Sequence, residues 1–559
     1  MLVVPYGEGR FADRHLARVR GSKGLVDHPV NHILAILAQK EDVNNKTLRE
    51  DRPQKSALFP KLTQEREASV SGALYYREAL VDHFSSSATE APEYWSQRYY
   101  VDESQWSGEP VVFIYIGGEG PQGPVSSSLF MYEEAKKYGA VMIALEHRFY
   151  GESRPVENMT NENLKLLTSE QALADLARFI DWFSANYEEF FAKRPKWITF
   201  GGSYPGALSA WFKEKYPALA VGAIASSAPV FAVFDFYQYA QVTGFALKDE
   251  VVGGSQRCYD LVSEGVYDLV SLIETGVDTN LLPEALRPCE GADIFNNDLD
   301  RSTYYSSIYG NVQGTVQYNL EGSSPVVSDI CDAVLKGGIN GGLEALASAT
   351  AIFEPRLDMC VPSRFKEDYV DAYLTNVNFT EAGCDLSCSS DRQWIYQSCN
   401  EFGYFQAAPS AENVEASGIT SPFDAFSKTL NQNTAGTAIC EAAFNITNYQ
   451  GPQSDAFGLS ANSQYAARNY LASNVTFVNG NVDPWHSLSI VNDTDLFYQA
   501  GGNQQIIGPR VNYVEIIGTA HCRDMYAPDL FSRQGIDDTE SVKWAHKQIA
   551  HDIARYLKE

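Results

Sequence analysis

The sequence predicts an α/β fold: a parallel sheet that carries an inserted, mostly helical, disulfide-rich domain. Three observations carry this reading. Short runs that are apolar on both faces recur toward both ends of the chain, at Val111–Ile116, Val141–Leu145, Trp197–Phe200, Val221–Ala225, Val475–Val478 and Tyr513–Ile517. Central parallel strands, covered on both faces, read this way. Helical stretches lie between them, and such alternation means a parallel sheet. Residues of about 231–460 differ, being polar, rich in glycine and home to eight of the nine cysteines.

Taken in order, residues 1–55 are basic and broken, an N-terminal extension. Their start, Met1-Leu2-Val3-Val4-Pro5-Tyr6, is too short and interrupted for a signal peptide, and we expect it to reflect a truncated or wrongly assigned beginning. Residues 56–230 form the first part of the sheet domain. Within it, Thr168-Ser169-Glu170-Gln171 has capping-box form, with Thr168 capping and Gln171 reaching back. Leu173, Leu176, Ile180, Phe183 and Tyr187 follow as one core-facing helical stripe. In the insertion, residues 231–460, Leu261, Val262, Val266, Leu269, Val270 and Ile273 recur at helical steps. Residues 461–559 complete the sheet domain.

The chain has 559 residues, 44% hydrophobic, ample for a large core. A formal net charge of −28 argues against nucleic acid as a partner. No apolar run approaches the roughly 20 residues needed to span a bilayer. Asn45, Asn158, Asn378, Asn445, Asn474 and Asn492 each open a glycosylation pattern. No histidine lies between His147 and His486, so Cys384-x-x-x-Cys388 has none nearby to complete a mixed Cys/His zinc site. Disulfides are therefore expected, with connectivity open, and an odd ninth cysteine is left free or paired outside the molecule. The expected setting is the secretory pathway, ending outside the cell or in a lysosome- or vacuole-like compartment.

The chemistry centres on Ser203. The apolar run Trp197–Phe200 enters Gly201-Gly202-Ser203-Tyr204-Pro205-Gly206, and a small-residue helix leaves it. This is how a nucleophile elbow is built, with a serine hydroxyl held above a parallel sheet. Pro205 stands where such elbows usually have glycine, and a first helical turn tolerates proline. A serine hydroxyl attacks well only when a base takes its proton and a third group orients that base. In such folds the order is serine, acid, histidine, each on a loop after a strand. Asp483 follows Val475–Val478, and His521 follows Tyr513–Ile517. His486 reads as a neighbour, while His546 and His551 fall on a closing amphipathic helix. The oxyanion hole needs two backbone N–H groups, assigned to Tyr204 and Gly118 of the Gly117-Gly118-Glu119-Gly120 loop.

These motifs occur in one order with Leu80-Val81-Asp82-His83-Phe84, Gln97-Arg98-Tyr99-Tyr100, Glu146-His147-Arg148-Phe149-Tyr150-Gly151, Asn479-Gly480-Asn481-Val482-Asp483-Pro484-Trp485 and His521-Cys522-Arg523-Asp524-Met525. From about residue 75 onward the chain resembles the serine peptidases of prolyl carboxypeptidase and lysosomal dipeptidyl peptidase II, with related fungal acid prolyl peptidases. The resemblance implies an α/β-hydrolase with a helical cap, a Ser203–Asp483–His521 triad, and cleavage after proline through an acyl-enzyme. It implies no metal or organic cofactor, and it places Trp485 in the proline pocket. Some members carry a second histidine where this chain has Ala520. Glu119 offers an anchor for a substrate amine, and an Arg or Lys of the cap would serve a carboxylate. Carboxypeptidase, dipeptidyl peptidase and endopeptidase modes stay open, as does a monomer or a homodimer. The rival readings are an esterase or lipase on the same fold and a non-catalytic binding module.

Overall fold

The computed structural model describes residues 72–85, 91–191, 193–319, 325–353, 360–375, 379, 390–447, 456–497, 505–530, 532 and 537–559. The N-terminal extension, Asn45, Asn378, Cys384 and Cys388 lie outside them.

The apolar runs are strands. β1 (Leu74–Leu80), β2 (Tyr94–Asp102), β3 (Val111–Ile116), β4 (Val141–Leu145), β5 (Lys196–Gly202) and β6 (Gly222–Ser226) build the sheet, with β9 (Val475–Gly480) and β10 (Val511–Ile516). Their order is β1-β2-β4-β3-β5-β6-β9-β10. β2 is antiparallel to β1 and β4, and the rest run parallel. Every residue of β4, β6 and β9 is buried, as strands covered on both faces must be. The edge strand β10 is exposed at alternate positions near its end. This is an α/β-hydrolase sheet.

Helices cover both faces. On one face lies Ser169–Asn186, whose Leu173, Leu176, Ile180 and Phe183 are buried in the core, with Tyr187 just beyond. On the other lies Glu540–Lys558, which buries Ile549, Ile553 and Tyr556. Thr168 caps the first helix by accepting the Gln171 N–H (3.2 Å). Gln171 does not reach back as the capping-box pattern predicts. Its amide instead bridges the β1 exit, donating to Asp82 (2.5 Å) and accepting the His83 N–H (2.9 Å). The competing partners lie far away in sequence, where a local pattern does not register them.

Arg148 is fully buried after β4, and all five of its N–H groups are used. Two reach Asp175 on the Ser169–Asn186 helix, and the others reach the carbonyls of Leu80, Val81 and Leu166. A buried guanidinium is tolerable only with such complete satisfaction. The Glu146-His147-Arg148 motif thus ties β4, the β1 exit and the covering helix together.

The chain leaves the sheet after β6 and rejoins it at β9. The described elements between are helices, apart from a short parallel pair, β7 (Val233–Asp235) and β8 (Gly403–Phe405). The predicted stripe Leu261–Ile273 lies on the helix Gln256–Glu274. Among the described residues, three disulfides staple the insertion: Cys258–Cys331, Cys289–Cys360 and Cys399–Cys440. Closing loops of this size is worth about 4 kcal/mol each in the chain-entropy account. Cys522 is the free thiol among the described residues, and it is buried. Asn474 is also buried, its amide donating to Val221 O (3.2 Å) and Glu559 (2.9 Å), so that glycosylation pattern is closed, whereas Asn445 is exposed.

Glu401 joins the insertion to the sheet domain. It accepts the N–H and hydroxyl of Ser169 at the start of the Ser169–Asn186 helix (2.9 and 2.8 Å). Burial pushes its carboxyl up to about 7, against the pull of these Ser169 bonds. The folded chain therefore holds this proton more tightly than the unfolded chain, and its contribution to stability falls as pH rises from about 4.5 to about 7. Glu401→Gln keeps an acceptor and cannot ionise. Thermal unfolding should show little difference between the two proteins at pH 5 and a variant more stable by up to about 3 kcal/mol at pH 8. Parallel pH profiles would contradict this account.

Candidate active site

The elbow forms where β5 meets the helix Tyr204–Lys215. Ser203 sits between them at φ 63°, ψ −131°. A serine at positive φ is uncommon and stores about 1–3 kcal/mol of strain. Close packing on every side holds it there. A Cβ at Gly201 would fall 2.0 Å from Pro205 O, and one at Gly206 would fall 2.5 Å from Ser226 O. The flanking glycines supply close approach, while Ser203 itself carries the strained angle. Its N–H donates to Ser226 O (2.9 Å), which anchors the turn to β6. Tyr204 opens the helix, so its N–H is among those with no acceptor inside the helix.

Gly118 lies against this turn. A Cβ there would be 2.4 Å from Pro205 Cγ, so the proline that departs from the usual pattern forms the floor under the Gly117–Gly120 loop. The next residue, Glu119, is buried, and burial pushes its carboxyl up to about 7, with His521 pulling it down.

Asp483 and His521 come from the loops after β9 and β10, which are locked to each other. Asn481 N–H donates to Ile516 O (3.2 Å), Val482 N–H to Thr519 O (3.2 Å) and Gly518 N–H to the Asn481 side chain (2.7 Å). His521 Nδ1 lies 2.9 Å from both Asp483 oxygens. An ionised carboxylate only accepts, so Nδ1 carries the hydrogen and the neutral ring keeps its lone pair at Nε2. Burial opposes the imidazolium, yet the facing Asp483 carboxylate holds the His521 pKa well above the ordinary histidine value. A Cβ at Gly202 would meet Met525 Sδ at 2.1 Å and Cys522 Sγ at 2.9 Å. The residues flanking Ser203 and His521 are therefore in contact.

Trp485 is buried two residues after Asp483, whose carboxylate accepts its backbone N–H (3.0 Å). Tyr239 and Tyr404 meet its ring edge-on, Phe236 lies 5.3 Å away, and the His521 ring is at 6.4 Å. His486, read as a neighbour, bonds Asp483 O and faces Asp495 (3.3 Å). His546 stacks on Phe130 and bonds Asp524 O, and His551 is exposed.

Two features escaped the sequence. Gln317, the last residue of the insertion helix Asp298–Gln317, accepts the indole N–H of Trp485 (3.0 Å) and the Tyr239 hydroxyl, while its backbone carbonyl accepts the His521 N–H (3.1 Å). The second is an oriented chain of bonds behind the elbow. His147 Nδ1 donates to Arg148 O (2.7 Å), so its Nε2 accepts from the Tyr204 hydroxyl (3.1 Å). That hydroxyl accepts from Gln397 Nε2 (3.1 Å), and Gln397 accepts from Tyr150 (2.6 Å). Burial drives the His147 pKa down to about 4, so the ring is neutral and the direction is fixed. A glutamine has no diagnostic spacing, and neither Gln317 nor Gln397 lies near a catalytic motif in sequence.

Gln317→Ala would leave two buried donors, on Trp485 and Tyr239, without their acceptor. Each such group costs about 1–3 kcal/mol, so the denaturant midpoint should fall clearly. Gln317→Glu, which keeps an acceptor, should lose less. Equal midpoints for the alanine variant and the parent would refute the role given to Gln317.

Comparison with known proteins shows the family of the chain. The family model for serine carboxypeptidase S28 matches residues 79–536. Human thymus-specific serine protease is 31% identical over 489 residues, covering 86% of each chain, and the mouse protein is 31% identical over 472 residues. Lysosomal Pro-X carboxypeptidase of Pongo abelii is 38% identical over 223 residues, 39% of this chain and 44% of that one. Among solved structures, proline iminopeptidase of Mycobacterium smegmatis aligns with 82% of this chain and 96% of its own at 12% identity, with a TM-score of 0.32. The chain is a serine peptidase that belongs to the serine carboxypeptidase S28 family.

Proposed function

We propose that the chain hydrolyses peptide bonds after proline, with Ser203 as nucleophile, His521 as base and Asp483 as orienting acid. The observation that carries this reading is the seating of His521 Nδ1 between both Asp483 oxygens, on a loop in contact with the strained Ser203 turn. His521 Nε2 takes the Ser203 proton as Oγ attacks the carbonyl carbon of the proline residue. The N–H groups of Tyr204 and Gly118 hold the oxyanion, each worth about 3 kcal/mol. His521 then protonates the leaving amine, the peptide bond breaks, and an acyl-Ser203 ester remains. Water, giving its proton to His521, attacks that ester and releases Ser203.

The aromatic surround of Trp485 supports the choice of proline, since flat rings suit a rigid pyrrolidine. Disulfides support an oxidising compartment, on a route through the secretory pathway to the outside of the cell or a lysosome-like organelle. The inserted cap, over about residues 231–460, contributes Gln317 and Gln397 beside the site.

Ser203→Ala should abolish turnover and fluorophosphonate labelling while leaving the unfolding midpoint close to that of the parent. Asp483→Asn should lower kcat about 10⁴-fold. Because the carboxylate raises the His521 pKa, the acid limb of its residual kcat/KM profile should also move to lower pH. An unmoved limb would deny His521 the role of base. Three peptides built around one proline, with that proline second from a free amino end, second from a free carboxyl end, or in a chain blocked at both ends, separate the exopeptidase and endopeptidase modes by mass spectrometry. Cleavage of none of them, with short acyl esters still hydrolysed, would replace the peptidase reading of the site with an esterase one.

A further inference from the structure

Ser203 is not the only strained residue beside the site. Ser227, directly after β6, has φ 44° and is fully buried. A serine in the left-handed region costs about 1–3 kcal/mol, and the acyl transfer proposed above gives Ser227 no task. Successive side chains of an extended strand point to opposite faces. The left-handed turn at Ser227 breaks that alternation, and the hydroxyls of Ser226 and Ser227 both reach one short turn. This turn, Arg523–Met525, is opened by Cys522 directly after His521.

Ser227 Oγ accepts the Cys522 N–H (2.9 Å), and the Ser226 hydroxyl donates to the Asp524 carboxyl (2.5 Å). The backbones of the same two serines hold the other loops. Ser226 O accepts the Ser203 N–H (2.9 Å), and the Ser227 N–H donates to Val478 O (2.7 Å) on β9, the strand that leads to Asp483. One dipeptide thus bonds the nucleophile turn, the turn after the base and the strand before the acid. Asp524 is buried and is not used in the proposed acyl transfer. Its backbone carbonyl accepts a hydrogen bond from His546 Nε2 (3.1 Å), so the helix Glu540–Lys558 holds the turn from behind. Gly202 pairs with Ser226 in the β5–β6 register and packs against Cys522 and Met525, which leaves the turn no room to slide.

We propose that Ser226, Ser227 and Asp524 are positioning residues that set the separation of Ser203 and His521. The inference rests on the Ser203–His521 pairing proposed above. Packing alone brings the two loops into contact, whereas directional bonds fix their distance and orientation. Misplacing a reacting group by about 1 Å can cost on the order of 10²-fold in rate.

The test measures the rate of fluorophosphonate labelling, which reads the reactivity of Ser203 whatever the substrate, together with kcat and KM. All are taken well below each protein's unfolding midpoint. Asp524→Ala and Ser227→Ala should each slow labelling and lower kcat by about 10- to 100-fold, with KM little changed. Burial pushes the Asp524 carboxyl up to about 7, so in mildly acidic buffer an uncharged amide is its close mimic and keeps an acceptor for Ser226. Asp524→Asn should therefore recover most of the rate that Asp524→Ala loses. Labelling as fast as in the parent, with only a lowered midpoint, would overturn the proposal, because the bonds would then serve stability alone. Asparagine no faster than alanine at position 524 would overturn it too, since the acceptor would not be what Asp524 supplies. Ser227→Ala removes a single oxygen and decides the matter if Asp524→Ala does not fold. If the unaltered protein is labelled at a residue other than Ser203, or not at all, the pairing of Ser203 with His521 itself fails and takes the positioning role with it.

Discussion

The rest of the site depends on how little space surrounds Ser203. The turn holds a serine at positive φ only because β5, β6, the elbow helix and the loop of His521 are packed too closely for it to relax. Gly201 admits Pro205 O, Gly206 admits Ser226 O, and Gly202 admits Met525 and Cys522. Gly118 in turn is held against Pro205, which carries the Gly117–Gly120 loop over the start of the helix. Strain of about 1–3 kcal/mol is small against the burial of four surrounding elements, so the fold over-determines the geometry of this one residue.

The insertion completes this arrangement through polar contacts. Gln317 holds Trp485 by its side chain and His521 by its backbone, and Gln397 orders the Tyr204 hydroxyl from behind. Glu401 fastens the same region to the start of the Ser169–Asn186 helix. Hydrogen bonds are directional where apolar packing is not, so these contacts fix the register of cap on sheet as well as its adhesion. The disulfides Cys258–Cys331, Cys289–Cys360 and Cys399–Cys440 then restrict the insertion itself.

Three buried carboxyls share one tendency. Glu119, Glu401 and Asp524 are each pushed up to about 7, chiefly by burial. Each is neutral and easily buried in mildly acidic surroundings, and each becomes an unfavourable buried charge as pH rises. Burial drives His147 the other way, down to about 4, and although burial opposes its charge the Arg148 guanidinium holds Asp175 below the ordinary carboxylate value, so the balance is a sum of opposing groups. With a formal net charge of −28, the chain as a whole also repels itself less when part of that charge is neutralised.

Local order in the sequence was enough for the sheet, the elbow and the acid and histidine that face each other. Strands buried on both faces need apolar runs, the turn at Ser203 needs small neighbours, and each loop residue follows its strand directly, so the signal is written within a few adjacent positions. The helix stripe from Leu173 to Tyr187 was legible for the same reason. Gln171 was misread because its partners, Asp82 and His83, lie on another element. Gln317, Gln397 and the pairing of the cysteines were not legible at all. Their meaning comes from which distant groups the packed chain brings opposite them, and that is decided only when the insertion closes on the sheet.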